Sequence, residues 1–321
     1  LGEEEYRTLT EKSVLSAYKE EESYFVLLAN GDKVPLEDSE VRFSQQSADR
    51  TAFCYQNEND ELIVVKDGKS KRTGIEDARG VKVSVTGDTL LYYTDCENTN
   101  YYNALFGYDS SIEVGTLHLY FIKKGKDVKV AEEVVLNSAV LSPDGKTVAY
   151  VTDYEASDDF RGYYSVKGKK PVEVGKEKRV FAIADKGAYV YYTDDDRIYV
   201  QKKKKEPEKL ASDIYSANVL LNAECTEMLF VNEGKTYITI KGGEKQKISG
   251  KSIDSLIVNQ KMAMGNDAVS SDRGTILVTY TGVETMKEKV LYSSSYNDIF
   301  YLKENLEAER LASDAGQYAL A

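Results

Sequence analysis

The chain predicts an all-β fold, a β-propeller, and three observations carry that expectation. A short strand pattern recurs about every 40 residues, the spacing of four-stranded blades. Turn signals precede most of its copies. The composition suits strands, with 25 tyrosines, no tryptophan and four prolines in 321 residues. Tyrosine fits a half-buried pleated surface, its ring packed and its hydroxyl reaching water.

The clearest copy is Leu141 to Asp153, LSPDGKTVAYVTD. Pro143 presets φ, and Asp144 and Gly145 tolerate turn conformations that most residues avoid. Val148, Tyr150 and Val151 then favour a strand. Aligned on that second strand, the series is SVLSAYK (13–19), TAFCYQN (51–57), TLLYYTD (89–95), TVAYVTD (147–153), AYVYYTD (188–194), EMLFVNE (227–233) and TILVTYT (275–281). Successive copies start 38, 38, 58, 41, 39 and 48 residues apart.

The rest of each unit follows in order. A first strand a precedes each copy: VRFS, VKVSV, SAVLS, VFAIA and SANVLL, with 255–257 or 263–269 as candidates in the seventh unit. The aligned copy is strand b. Strand c follows it, from SYFVLLA and ELIVVKD through to DIFYLKE, and a short outer strand d such as KVPLE or ERLAS ends the unit. Four antiparallel strands repeated in this way make a propeller blade. Seven blades result, spanning 13–39 with 317–321, 40–78, 79–134, 135–177, 178–213, 214–252 and 253–316 in one domain. The C-terminal QYALA, 317–321, supplies the missing strand a of the first blade, which closes the ring and removes a sheet edge. The blurred seventh unit leaves six or eight blades as alternatives.

LSPDGKTVAYVTD resembles the repeat of TolB-like propellers, the PD40 or WD40-like group. The match is specific in the fourth blade and degenerate elsewhere. The resemblance implies a propeller placed outside the bacterial cytoplasmic membrane, secreted or anchored, with the cytoplasm as the alternative. Functions in that group run from docking proteins to domains attached to peptidases, so the fold licenses no activity.

Three long insertions fall between strands b and c: Cys96 to Val114, Tyr154 to Arg161 and Gly282 to Asn297. Long loops gathered on one side of a rigid scaffold mark a binding surface. The first interleaves Tyr101, Tyr102, Phe106 and Tyr108 with Asn98, Asn100 and Asn103, a mixture that gives contact area and adaptable hydrogen bonds. Tyr154, Asp158, Asp159, Phe160, Tyr292 and Tyr296 extend the same candidate surface. The bland alternative is a loop that packs its own aromatics down.

A net charge of −12 argues against a nucleic-acid partner. Acids gather at the b–c connections: Asp95, Glu97, Asp153, Glu155, Asp194 to Asp196 and Glu233. Lysines gather at the c–d turns: Lys123, Lys124, Lys126, Lys167, Lys169, Lys170 and Lys202 to Lys205. They read as a solvated surface or as one facing an anionic membrane or wall polymer. Cys54, Cys96 and Cys225 are widely spaced, neither a metal motif nor a disulfide framework.

Catalytic signals are few. His118 is the only histidine, so no multi-histidine metal site forms, and no G-x-S-x-G elbow exists. Ser270 to Gly274 matches half of a sialidase Asp box, with Ile276 and Leu277 replacing its Thr and Trp. The expectation is a non-catalytic propeller, without cofactor or metal, that recognises a protein or peptide through the acidic, Tyr/Asn-rich b–c face. A glycan-binding or carbohydrate-active propeller using the same loops is the rival, and a two-carboxylate glycosidase keeps it open.

Overall fold

A computed structural model describes residues 10–36, 40–103, 108–156, 159–203, 205–212, 217–253, 255–257, 266–271, 274–281, 283–293 and 295–313. These residues form 29 strands, two single 3-10 turns and no α-helix. The chain divides into two compact units, Leu1–Val174 and Gly175–Ala321.

In the first unit, the first sheet has three strands, β1 (Val14–Glu20), β2 (Ser23–Leu28) and β3 (Lys33–Leu36). A four-stranded meander follows, β4 (Phe43–Gln46), β5 (Ala52–Gln56), β6 (Leu62–Lys66) and β7 (Lys69–Arg72). The third set is β8 (Arg79–Val83), β9 (Thr89–Asn103), β10 (Tyr108–Phe121) and β11 (Lys126–Val135). The fourth is β12 (Val140–Leu141), β13 (Thr147–Ala156), β14 (Asp159–Val166) and β15 (Val172–Lys176). Pairing of β9 with β13 merges these last two into one eight-stranded sheet.

In the second unit, β16 (Lys178–Ile183), β17 (Tyr189–Asp194), β18 (Arg197–Lys202) and β19 (Glu208–Ala211) form a meander. The next is β20 (Ala217–Leu221), β21 (Glu227–Asn232), β22 (Lys235–Ile240) and β23 (Gln246–Ser249). Then come β24 (Ser255–Ile257), β25 (Asn266–Ser271), β26 (Gly274–Tyr280), β27 (Lys289–Ser293), β28 (Asp298–Leu302) and β29 (Ala308–Ala312). The last sheet is β24-β27-β28-β29, and β26 instead pairs in parallel with β20.

The sequence pattern placed strand b of this last unit at 275–281; the structure places it at β27. TILVTYT is the stronger strand pattern, a longer β-branched run behind a turn signal. KVLYS wins in the fold because Leu291 is buried against Phe300 and Leu302, and Ser293 pairs with Asp298 across the hairpin. The last residues, 317–321, lie outside the described ones.

Strand faces explain why so many strands read as continuous apolar runs. Phe53, Tyr55, Ile63 and Val65 pack toward the first sheet, while Cys54, Leu62 and Val64 pack toward the third. In β9 the same alternation sends Leu90 and Tyr92 one way and Leu91 and Tyr93 the other. Each inner strand is thus covered on both faces, and each fully buried aliphatic side chain contributes about 1.5–3 kcal/mol.

The turn of the LSPDGK motif recurs through the fold. Ser142 Oγ accepts from the Thr147 N–H at 3.0 Å, and Ser142 N–H donates to the Thr147 carbonyl at 2.8 Å. Ser47 with Ala52, Ser84 with Thr89, and Asn222 with Glu227 repeat both bonds. Ala184 with Tyr189 keeps only the backbone bond. The residue three beyond each acceptor has positive φ: Arg50, Gly87, Gly145, Gly187 and Cys225. A Cβ added at Gly145 would lie 2.6 Å from Thr89 Cβ and 2.7 Å from Ser84 Cβ. This glycine therefore lets the turn of the fourth set seat on the turn of the third.

Candidate functional site

The candidate surface grows from one backbone position. Where strand b ends, Glu21, Asp95, Asp153, Asp195 and Glu233 all adopt left-handed φ of 50–57°. Aspartate is tolerated there because its short polar side chain can bond locally, and Glu21 and Glu233 take the same conformation. In β1–β2, β17–β18 and β21–β22 that residue opens a two-residue turn, with Glu20 paired to Ser23, Asp194 to Arg197 and Asn232 to Lys235. In β9–β10 and β13–β14 it does not. Thr94 pairs with Thr116 and Thr152 with Arg161, the register slips, and the hairpins run on.

Loops were expected at 96–114 and 154–161; the structure builds them as β-ribbon. The β9–β10 ladder continues from Glu97 opposite Val114 to Asn103 opposite Tyr108. The β13–β14 ladder resumes at Ala156 opposite Asp159, and Ala156 pairs in parallel with Tyr102. The alternation Asn98-Thr99-Asn100-Tyr101 already has the period of a strand, and it overrides the loop composition.

The two ribbon faces differ. On one, Tyr101 meets Tyr154 edge-on with ring centroids 5.0 Å apart, and Tyr154 stacks on Phe160 at 5.6 Å. Phe160 is only 5% exposed and packs with Val114, Val135 and Val151. These aromatics fasten the ribbons to each other, as a small core of their own. The other face is polar: Asn98 sits opposite Glu113 and Asn100 opposite Ser111, with both asparagines and Ser111 exposed. Asp95, Glu97, Asp153 and Glu155 are exposed as well, and Asp159 is half-buried.

Tyr102, Asn103 and Tyr108 are described by their backbones alone, and Phe106 and Asp158 lie outside the described residues. Tyr292 and Tyr296 belong to the second unit. Tyr292, inside β27, donates from its hydroxyl to Asn297 Oδ1 at 2.8 Å. Tyr296, 47% exposed, lies in the β27–β28 turn with Lys251 Nζ 4.7 Å from its ring centroid.

The lone histidine joins a cross-strand network. His118 Nδ1 lies 3.0 Å from Asp127 Oδ2, and its Nε2 lies 3.2 Å from Thr94 Oγ1. Tyr92 stacks on the imidazole at 4.9 Å and donates to Asp127 Oδ1 at 2.8 Å. Burial, then Asp127, raises the Tyr92 hydroxyl well above the ordinary tyrosine value. The order Thr-His-Asp is that of a nucleophile relay. Thr94 Oγ1 itself donates to Asp95 Oδ2 at 3.0 Å, however, and Thr94 is held in the ladder opposite Thr116. The network braces the root of the ribbon.

A cleft opens beside it, ≈320 Å3 in volume, lined by Phe43, Gln56, Arg79, Val81, Lys82 and Asn137 among others. Composition did not flag it. The available signal was Gly80 inside a strand pattern, since an isolated strand glycine marks a bulge.

The thiols are free among the described residues. Burial pushes Cys54 up to about 12 and Cys225 up as well, and burial with the nearby Glu113 charge raises Cys96. All three are therefore weak nucleophiles at neutral pH.

No protein-family model and no curated protein sequence matches the chain. Among solved structures, it is similar to dipeptidyl peptidase 4 of Porphyromonas gingivalis at 13% identity and a TM-score of 0.49, over 94% of this chain and 50% of that one. It is similar to an oligogalacturonate lyase of Vibrio parahaemolyticus at 12% identity and a TM-score of 0.43, over 95% and 89% of the two chains. It is also similar to TolB from Acinetobacter baumannii at 10% identity and a TM-score of 0.39, over 87% and 73%. The chain thus spans about half the length of the peptidase.

Proposed function

We propose that the chain is a seven-bladed TolB-like propeller over 1–321, closed by 317–321, that binds a protein or peptide without catalysing a reaction. The double ribbon is its recognition element, and the compartment is extracytoplasmic. One observation carries this: two neighbouring hairpins run past the residue at which their counterparts turn, and they pair with each other. A fold needs no such extension to complete a four-stranded sheet. The extension presents exposed Asn98, Asn100 and Ser111 on a backing of packed aromatics, a rigid polar platform. Exposed Asp95, Glu97, Asp153 and Glu155 at its root steer basic segments toward it.

Panning a random peptide library on the whole chain tests this. Lys/Arg-rich sequences should be enriched, and their binding should weaken as salt rises past about 0.15 M, where the screening length is about 8 Å. Asn98→Ala with Asn100→Ala should abolish that binding while the thermal melt is unchanged. Equal enrichment on a chain lacking residues 96–115 would overturn the assignment. Enrichment of glycans instead of peptides on an array would transfer the platform to the carbohydrate reading.

A further inference from the structure

The cleft beside the ribbon has a chemistry opposite to that of the acidic hairpin ends. Its floor is β8, where the register against β9 slips between Arg79 and Lys82. In a regular strand these residues, three apart, would point to opposite faces. The bulge at Gly80, with φ of 55°, brings both to the cleft. Only glycine fits there: a Cβ would lie 2.9 Å from Asn137 Oδ1 and 3.0 Å from the Tyr93 ring. The backbone is thus shaped to bring two cations to one cleft.

Both cations are held in place by the protein. Lys82 Nζ donates to the Ala139 carbonyl at 3.0 Å. The Arg79 guanidinium meets Glu113 through both of its ends, Nη1 to Oε1 at 2.8 Å and Nη2 to Oε2 at 3.2 Å. That pair is open to water, with side-chain exposures of 56% and 25%, and exposed pairs of this kind hold weakly. A planar guanidinium fork matches a carboxylate in two hydrogen bonds. Phe43, Ala78 and Val81 give the cleft an apolar wall, and its volume falls in the range of small-ligand sites.

We propose that this cleft binds a carboxylate, with the C-terminal carboxylate of an apolar peptide residue as the favoured source. Arg79 takes the carboxylate in its fork, Lys82 adds a second positive charge, and the residue's side chain lies on Phe43 and Val81. Glu113 is the internal stand-in that the ligand displaces. The apolar wall favours a peptide terminus over a sugar acid, whose hydroxyls would lose water there without partners. Because Glu113 lies opposite Asn98 on the ribbon, occupancy of the cleft also frees a carboxylate beside the platform.

The test is an amide-shift titration of the nitrogen-15-labelled whole chain with N-acetyl-phenylalanine, its amide, and glucuronate. The acid should shift the Arg79, Gly80, Lys82 and Asn137 amides, the amide should not, and glucuronate should bind more weakly than the acid. Arg79→Gln should weaken binding by about tenfold or more, and Lys82→Gln should weaken it less. Glu113→Gln should tighten it, since the competing carboxylate is gone. Equal binding of the acid and its amide, or full affinity in both Arg79→Gln and Lys82→Gln, would overturn the site. Unchanged or weaker binding in Glu113→Gln would overturn the displacement, and tighter binding of glucuronate would overturn the peptide-terminus source. These probes are small molecules, so the outcome is independent of whether the ribbon binds a protein.

Discussion

The hairpins β17–β18 and β9–β10 begin alike and end differently. Each closes strand b with Thr-Asp, and in each an aspartate takes a left-handed conformation, Asp195 at φ 57° and Asp95 at φ 50°. In the first, Asp195 and Asp196 make a two-residue turn between the paired Asp194 and Arg197. In the second, Asp95 becomes a bulge, and the ladder resumes with Glu97 opposite Val114. One local conformation therefore serves both as a turn and as the root of an insertion. The scaffold does not choose between them; the residues that follow do. Asp196 and Arg197 lead straight into a strand, whereas Cys96 to Asn103 offers a further alternating run that can pair with its own return.

If the ribbon is an addition to a complete scaffold, the largest effects on stability should lie in the scaffold. Gly145→Ala is the sharpest test. The new Cβ would stand 2.6 Å from Thr89 Cβ, on a residue with φ of 67°. Thr89 and Ser84 are buried and cannot move aside. Strain of left-handed alanine and overpacking together should cost ~2–4 kcal/mol, read as a lowered urea midpoint. A loss below about 0.5 kcal/mol, the scale of ordinary surface substitutions, would mean that the turn does not seat the fourth set on the third.

Excising the ribbon should cost less and reveal more. Replacing residues 96–115 by one glycine leaves Thr94-Asp95-Gly-Thr116, the two-residue turn that β17–β18 uses, with Asp-Gly favoured for it. The loss should stay at ~1–3 kcal/mol, from uncovering Phe160 and Val151 and from losing the pairs of Val114 and Gly115 with Val135 and Val134, while the far-ultraviolet spectrum stays that of a β protein. Peptide binding should disappear. A chain that fails to fold after this excision would make the ribbon part of the scaffold. The single change Tyr101→Ala should cost ~1 kcal/mol, the scale of one edge-on aromatic pair.

Much of the scaffold was legible because it repeats. TLLYYTD, TVAYVTD and AYVYYTD all became the second strand of a four-stranded set; the Ser-to-Gly turn before the first two recurs with its hydrogen bonds, and Ala184 before the third keeps the backbone one. Repetition failed at 255–302, where a short strand, KVLYS, was outranked by a stronger run that pairs elsewhere. The site was less legible for a different reason. Tyr- and Asn-rich composition points to a loop, yet alternation within it makes ribbon, and which residue faces solvent depends on a one-residue register slip at Asp95. Arg79 and Lys82 were hidden in the same way, since only the bulge at Gly80 brings them together.

The smallest effect concerns how the second meander is tied to the third. Lys66 Nζ reaches the turn of the third, donating to the Gly87 carbonyl at 2.6 Å and to Asp88 Oδ1 at 2.9 Å. Burial works to raise the Asp88 carboxyl, but Lys66 and Lys123 more than offset it and hold it below the usual aspartate value. A depressed carboxyl stabilises the fold fully above its unfolded value, about 3.9, and loses that contribution as pH falls through the lower folded value. Asp88→Asn should therefore lower the urea midpoint slightly at pH 6, and the two midpoints should converge as the pH falls below the lowered folded value. The Lys66 bonds to the Gly87 carbonyl persist in that variant, so only the charge is removed. A difference that stays constant across the acid range would assign the effect to packing of the turn, and the tie between the two meanders would then rest on the backbone alone.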